Sequence, residues 1–389
     1  MCIRTPLIMI VMLALSPARA AEAQITDPLP APIENQGLMV QIRDVARLPY
    51  TGDYRPPDQD RNPASWARVS FVRDLPDGRR FANDSRGFLY LLGTENELSL
   101  YADLGAAFSH VVYSRNESGI IGFAFHPEFA QNGLFYTVHG ETSLGNAKTL
   151  EFIPPGYTEA DVKHHNVITE WRANDPAAST FDGTQRELLR IGQVVTNMSH
   201  PLGYVGFNPT SESGDPDYGL LYTSGSDLGF SNGLGPNAEN PGQTQRLDSI
   251  VTAILRIDPR SPSESNGTKG LGDYTIPAIN QFATDGDPGT LGEIYAYGFR
   301  NAHRLSWDLT DGTMFAADIG MNNIEEINIV REGGNYGWMA REGYWENGIN
   351  RPGGALNQLF ALSADVLDGQ TEDEFTYPVT IYDHNEGNA

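Results

Sequence analysis

A histidine and an aspartate on either side of one predicted hairpin are the first candidates for chemistry. His200 lies just before a predicted strand, and Asp227 lies just after its partner strand. A hairpin returns the chain to the same edge, so the two side chains can meet there. A carboxylate beside a histidine orients the ring and stabilises its charged form, which makes a general base. On these residues alone, a loop histidine and a turn-forming aspartate remain the simpler interpretation.

Two further clusters carry side chains that suit charged or polar ligands. Arg300 and Asn301 follow an aromatic strand, and a planar guanidinium beside an amide suits a carboxylate or a quinone oxygen. Residues 317–328 place acidic and amide oxygens around a glycine turn that could hold Ca²⁺, although an ordinary Asx-rich turn explains them equally well. His164 and His165 have no third ligand nearby in the sequence, and we expect them at the surface.

The elements that must position these residues are short strands joined by Pro, Asp, Asn or Gly turns. A strand–turn–strand unit recurs four times from about residue 66, with a ring at an equivalent position in each copy. Hairpins that repeat in this way, with insertions at 151–190, 228–248 and 259–290, predict a β-propeller. A β-sandwich with several hairpins is the alternative. The equivalent rings are those of Phe71, Phe125, Phe207 and Trp307.

Composition limits the classes of function. The chain has 389 residues with 40% apolar and 10% aromatic side chains, which excludes global disorder. Its 41 glycines and 25 prolines favour a fold rich in turns. With 50 acidic against 26 basic residues the net charge is -24, and a surface this negative repels phosphate backbones. We therefore expect no nucleic-acid partner.

The N-terminus resembles a secretory signal. Arg4 precedes an apolar run from Leu7 to Leu15, and Ala18-Arg19-Ala20 fits a signal-peptidase site. This run is too short to span a bilayer, so we expect no membrane insertion. Removal of residues 1–20 also removes Cys2, the single cysteine, which suits a periplasmic or secreted protein without disulfides. Residues 21–65 then form an extended lead-in, and 66–389 the propeller domain.

Three ordered motifs resemble the glucose/sorbosone dehydrogenases, the soluble aldose dehydrogenases that depend on pyrroloquinoline quinone (PQQ). They are residues 119–129, 298–301 and 325–338, and the resemblance extends from about residue 68 to the C-terminus. It implies a six-bladed propeller with PQQ at the mouth of its channel, held by Ca²⁺. It also implies oxidation of the C1 hydroxyl of an aldose to a lactone by hydride transfer.

The resemblance assigns a role to each candidate residue. His200 falls on the catalytic base, Asp227 on its supporting carboxylate, and Arg300 with Asn301 on the pair that contacts PQQ. Glu117 stands on the cofactor and substrate side, where the best-studied members have Gln. The backbone carbonyls of Gly320 and Met321 fall on the ligands of the active-site Ca²⁺. A second, structural Ca²⁺ site matches Glu326 and the carbonyl of Tyr336.

The sequence therefore predicts a PQQ-dependent sugar dehydrogenase that passes electrons to a soluble or membrane-bound acceptor. Two alternatives remain open: a calcium-dependent propeller lactonase or hydrolase, and a non-catalytic sugar-binding propeller. The chain stops at Ala389, within what resembles a continuing family motif. We therefore expect a fragment whose last blade is incomplete.

Overall fold

Nearly all regular structure is β-strand in the computed structural model. It describes residues 24–30, 37, 39–52, 66–93, 95–113, 117–232, 243–350, 354–355, 358–361 and 375–383. The strands are β1 (Gln24–Ile25), β2 (Val69–Asp74), β3 (Arg80–Asp84), β4 (Phe88–Leu92), β5 (Leu98–Asp103), β6 (Ile120–Phe125), β7 (Leu134–Thr142), β8 (His164–Ala173), β9 (Gly183–Gln193), β10 (Tyr204–Gly206), β11 (Leu221–Ser224), β12 (Ile254–Ile257), β13 (Thr268–Lys269), β14 (Thr275–Ile276), β15 (Ile294–Ala296), β16 (Ala302–Trp307), β17 (Met314–Asp318), β18 (Ile324–Ile329), β19 (Arg341–Glu342), β20 (Trp345–Asn347), β21 (Leu359–Phe360) and β22 (Thr380–Asp383).

Helices are short and occur in the connections. The α-helices of the described residues are α1 (Phe129–Asn132) and α2 (Pro262–Ser265). Single 3-10 turns cover Leu104–Ala107, Glu159–Asp161, Phe230–Asn232, Gln281–Ala283 and Gly348–Asn350. No helix in this described part of the chain is both long and apolar enough to cross a bilayer.

The strands form five four-stranded antiparallel sheets within the described residues. Sheet A contains β2–β5, sheet B contains β6–β9, sheet C contains β10, β11, β12 and β15, sheet D contains β16, β17, β18 and β22, and sheet E contains β1, β21, β20 and β19. A further hairpin pairs β13 with β14. The all-β propeller architecture is thus confirmed, and five of the six expected blades lie in the described part of the chain.

The first strands of sheets A to D contact one another at the centre of the molecule. The ring of Phe71 in β2 lies 5.9 Å from that of Tyr204 in β10, and Tyr204 lies 6.5 Å from Trp307 in β16. Arg73 in β2 donates from Nε to the carbonyl of Phe123 in β6 at 3.3 Å. These four strands, β2, β6, β10 and β16, are called the central strands below.

The central strands run in the same direction, so the propeller has two distinct mouths. Before β6 and β10, the backbone N–H of His200 donates to Glu117 at 2.6 Å. Arg300, just before β16, accepts from the backbone N–H of Asp227 at 2.8 Å. The starts of these strands therefore meet at one mouth, which carries the candidate site.

The ends of the same strands meet at the opposite mouth. After β6 and β10, the rings of His126 and Phe207 lie 5.3 Å apart. Because β16 has six residues at about 3.3 Å each, the two mouths are separated by roughly 20 Å.

Apolar side chains pack between neighbouring sheets. Phe135 and Trp171 of sheet B stack with centroids 5.8 Å apart, within a cluster that reaches the central strands. A second cluster joins sheets B and C and includes Val138, Val205 and Leu255. This packing fixes the loops at both mouths.

Both terminal regions contribute edge strands. β1 pairs with β21 in sheet E, and β22 pairs with β18 in sheet D. The lead-in also contacts sheet A, where Thr51 donates its hydroxyl to Asp84 at 2.7 Å. The predicted signal segment at 1–20 and the final residues 384–389 lie outside the described residues.

Candidate functional site

His200 and Asp227 meet at the first mouth. His200 Nδ1 lies 2.7 Å from Asp227 Oδ1, and their side chains are 7% and 0% exposed. An ionised carboxylate only accepts hydrogen bonds, so Nδ1 carries a proton, and Nε2 is the acceptor nitrogen in the neutral form of the ring. That tautomer is the one a general base needs.

Asp227 sits in a buried network that favours its ionised form. It accepts the backbone N–H of Gly229 at 2.8 Å and hydrogen bonds from the hydroxyl and backbone N–H of Ser231. Burial on its own raises the pKa of Asp227. The charge and hydrogen bond of His200, followed by Arg300 and Ser231, nevertheless hold that pKa below its usual range. Asp227 therefore keeps its negative charge across the neutral range.

The backbone of His200 is held on both sides. It has a φ of 49°, in the left-handed region that non-glycine residues rarely adopt. Its N–H donates to Glu117 Oε2 at 2.6 Å, and its carbonyl accepts the hydroxyl of Ser226. These two anchors compensate for the backbone strain and fix the direction of the ring. Glu117, expected beside the cofactor, has one carboxylate oxygen on the backbone of the proposed base.

Arg300 reaches from the Asp227 network to the loop after β17. Its Nε donates to the hydroxyl of Ser231 at 3.2 Å, and its Nη1 donates to the carbonyls of Ile319 and Gly320 at 3.0 and 2.7 Å. Its Cζ lies 5.6 Å from the ring centroid of Trp338. Sequence reasoning missed Ser231, which links the base network to the cation; only its place four residues after Asp227 hints at it.

Asp318 fixes the backbone of the Arg300–Asn301 pair. Its two carboxylate oxygens accept the N–H groups of Arg300 at 3.0 Å and Asn301 at 2.6 Å. Burial, then the nearby Glu326, raises the pKa of Asp318 well above its usual value. Glu326 faces Asp318 across β17 and β18. The two hydrogen bonds to Asp318 hold the backbone of Arg300 and Asn301 rigidly, although this pair lies at the end of a loop.

Glu342 fixes the loop that follows Asp318. Its Oε1 accepts the backbone N–H groups of Met321 at 2.9 Å, Ile324 at 3.2 Å and Asn323 at 3.3 Å. The side chain is buried in β19 of sheet E. This buried carboxylate was missed in the sequence because it lies 21 residues beyond Met321, with no local pattern to connect them.

The residues assigned to the active-site Ca²⁺ do not fit that ion in this arrangement. The Gly320 carbonyl already accepts from Arg300, so a positive charge stands where a second cation would bind. No cluster of three or more His, Cys, Asp or Glu side chains suited to a metal ion exists in the described ranges.

The residues assigned to the structural Ca²⁺ have other described partners. Glu326 accepts from the Gly343 backbone at 2.6 Å and from Asn328 at 3.0 Å, and burial raises its pKa to about 7. Tyr336 stacks on Phe299 at 4.3 Å and donates its hydroxyl to the Ile329 carbonyl. The assignment of Glu326 and Tyr336 to calcium stays a prediction.

The same mouth fits a group that presents oxygen atoms and negative charge, as PQQ does. Arg300 supplies a cation and Asn301 an amide. The indole Nε1 of Trp338 is a buried donor with no hydrogen-bond partner among the described residues. A ligand oxygen would satisfy this donor, which is otherwise costly to bury.

The histidine pair in β8 differs from its expected surface position. His165 is only 3% exposed, and its Nδ1 lies 2.9 Å from Nη1 of the buried Arg190. Side chains alternate between the two faces of β8, and this alternation places His165 on the packed face of sheet B. Two adjacent histidines in the sequence did not indicate which of them would be buried.

Comparison with known proteins agrees with the family resemblance noted in the sequence. The glucose/sorbosone dehydrogenase family profile matches residues 214–355. The HIPL1 protein of Arabidopsis thaliana is 29% identical over 298 residues, covering 69% of this chain and 40% of that protein. Quinoprotein glucose dehydrogenase B of Acinetobacter calcoaceticus is 25% identical over 238 residues, covering 59% of this chain and 41% of that protein. The chain thus spans less than half the length of these relatives.

A solved structure shares the fold. It is a putative oxidoreductase (glucose dehydrogenase) from Thermus thermophilus, with a TM-score of 0.51, 22% identity and coverage of 81% of this chain and 70% of that one. The family match covers Arg300, Asn301 and the loop after β17, where the motifs had indicated it. Residues 214–355 of this chain are therefore similar to the glucose/sorbosone dehydrogenase family, and the fold is that of its solved relative.

Proposed function

We propose that this protein oxidises the C1 hydroxyl of an aldose to a lactone, with PQQ as the hydride acceptor. The observation that carries the proposal is the buried contact of 2.7 Å between His200 Nδ1 and Asp227 Oδ1. A binding protein has no need to hold a histidine at a φ of 49° against an ionised carboxylate.

His200 acts as the general base in this proposal. Its Nε2 accepts the proton of the C1 hydroxyl, and Asp227 stabilises the positive charge that the ring then carries. Glu117 and Ser226 hold the ring at a fixed angle while the proton moves.

Arg300, Asn301 and Trp338 would hold the cofactor. PQQ supplies a quinone that can take up the hydride from C1. Arg300 stabilises negative charge at this position, and Asp318 holds the Arg300 backbone so that little reorganisation is needed.

A non-catalytic binding protein is the second candidate, and one observation favours it. Arg300 occupies the Gly320 carbonyl, which the family resemblance assigns to Ca²⁺. A protein that binds a sugar without Ca²⁺ would also show this hydrogen bond from Arg300 to the Gly320 carbonyl.

The deciding experiment uses purified protein with PQQ, Ca²⁺, a panel of aldoses and a dye that bleaches on reduction. Aldose-dependent bleaching that needs PQQ supports the dehydrogenase, and its absence with sugar binding retained supports the binding protein. Hydrolysis of an aldonolactone without PQQ or dye would instead support the lactonase, in which His200 activates water. We also propose export to the periplasm or medium, which N-terminal sequencing of the expressed protein tests at Ala21.

A further inference from the structure

Two arginines stack on one phenylalanine between the central strands. The Cζ atoms of Arg73 in β2 and Arg304 in β16 each lie 4.4 Å from the ring centroid of Phe71. Two like charges that stack on one ring repel each other, so an anion beside them would be stabilising.

The described contacts of this pair are with neutral groups. Arg304 donates from Nη1 to the carbonyls of Gly203 and His303 at 3.3 and 2.7 Å. Arg73 donates from Nε to the Phe123 carbonyl, and its Nη2 is buried with no hydrogen-bond partner among the described residues. Within the described part of the chain neither arginine lies in an ion pair, whereas Arg190 and Arg256 both pair with carboxylates.

Tyr204, whose ring centroid lies 5.7 Å from the Cζ of Arg73, supplies no negative charge to balance the pair. Burial raises the pKa of Tyr204, so its hydroxyl stays neutral. Burial, then the charge of Arg73, lowers the pKa of Arg304 to about 10, which leaves Arg304 charged at neutral pH. In a chain with a net charge of -24, an uncompensated pair of cations is unusual.

Arg73 opens onto a cavity at the second mouth. The cavity has a volume of about 480 Å³, within the range of small-molecule sites. Asp74 also lines it, but Arg80 neutralises that carboxylate through bonds of 2.6 and 2.9 Å. Aromatic rings form much of the remaining wall: Phe125, Tyr204, Phe207 and Trp307.

We propose that this cavity binds a small organic carboxylate built on a six-membered ring. The guanidinium of Arg73 would take the carboxylate, with Arg304 adding to the positive potential. The aromatic walls would pack against the faces of the ring, and Ser306 lines the same cavity. This site lies at the opposite mouth from His200, so it is independent of the proposed oxidation.

The test is calorimetric titration of the full chain with methyl β-D-glucuronide and with methyl β-D-glucoside. Both have a blocked C1 and cannot be oxidised, so the result does not depend on the dehydrogenase proposal. We expect the glucuronide to bind at least about tenfold more tightly than the glucoside, because a charge-assisted hydrogen bond discriminates by about that factor or more. Added salt should weaken only the glucuronide.

Variants locate the site. R73Q should weaken glucuronide binding by about tenfold or more, and R73K, which keeps the charge without the planar fork, should fall between R73Q and the unchanged protein. Binding by H200A should equal that of the unchanged protein. If R73Q loses its cooperative melting transition, R73K alone decides, with weakening expected.

Three outcomes overturn the proposal. They are equal affinity for the charged and neutral glycosides, unchanged glucuronide affinity in folded R73Q or in R73K, and loss of binding in H200A, which would place the ligand at the first mouth.

Discussion

Arg300 donates to the carbonyl oxygen of Gly320 at 2.7 Å, and this is the atom that the family resemblance assigns to the active-site Ca²⁺. The Arg300 guanidinium and a Ca²⁺ ion would repel each other if both bound this carbonyl oxygen. A unit charge and a divalent cation 4 Å apart repel by about 8 kcal/mol at an effective dielectric constant of about 20. A bound anion between them would remove this repulsion, which couples any metal at this loop to an anionic cofactor.

We therefore expect Ca²⁺ to stabilise the protein only when PQQ is present. Melting temperatures with Ca²⁺ alone, PQQ alone and both together measure this coupling. Mg²⁺ serves as the control ion, since it demands a tighter octahedral geometry. An equal rise in melting temperature with Ca²⁺ whether or not PQQ is added would contradict the coupling.

Replacing His200 by Ala should lower turnover by roughly 10²–10⁴-fold, the usual contribution of a positioned general base. PQQ binding should be retained, because the ring contacts Asp227, whereas the residues proposed to hold PQQ are Arg300, Asn301 and Trp338. His110→Ala is the matched control, since the described contact of that ring is with Ser109 outside the site. The dye assay and a fluorescence titration with PQQ measure the two effects, and normal turnover in H200A would refute the assignment.

The pair His200 and Asp227 could be proposed from the sequence because both flank one hairpin, and a local pattern encodes their proximity. The groups that hold this pair in place could not be predicted from a local pattern. Glu117 is 83 residues from His200, and the pairing depends on how sheets B and C pack. The repeated turns also predicted the sheets, whereas the pairing of β22 with β18 depends on a long excursion through sheet E.

Asp227→Asn should destabilise the protein most at neutral pH. Because the pKa of Asp227 is lower in the folded chain than in the unfolded one, its charge stabilises the fold above the unfolded pKa of about 4. That contribution is lost as the pH falls through the folded pKa. Urea unfolding of both proteins at pH 7, 5 and 3 measures the difference in unfolding free energy. A difference that grows as the pH falls would show the sign to be wrong.

Acidification from pH 6.5 to 4 should weaken the fold through buried neutral histidines. Burial lowers the pKa of both His126 and His303 to about 4. Nδ1 of His126 accepts the Glu128 backbone N–H at 3.0 Å, a bond that requires the unprotonated ring nitrogen. The unfolded chain binds protons first in this range, so stability rises with pH between about 4 and 6.5.

His126→Gln should flatten this dependence, because the Gln side chain does not titrate. Urea unfolding of the variant and of His110→Ala between pH 4 and 7 provides the comparison. The histidine account fails if the slope of unfolding free energy against pH is the same in all three proteins.

Glu342→Ala should loosen the loop from Met321 to Ile324. Its Oε1 accepts three backbone N–H groups of that loop, and hydrogen bonds to a charged group contribute about 1.5–3 kcal/mol each. Gly320 begins the same loop and its carbonyl accepts from Arg300. Disorder of this loop would therefore also release the guanidinium of Arg300 from its fixed position.

Glu342→Gln is the matched control, because the amide oxygen of Gln can still accept these hydrogen bonds. Hydrogen exchange of peptides covering 319–325 should be faster in E342A than in E342Q, with PQQ affinity reduced in parallel. Equal exchange in both variants would mean that backbone pairing between β17 and β18, and not Glu342, orders the loop.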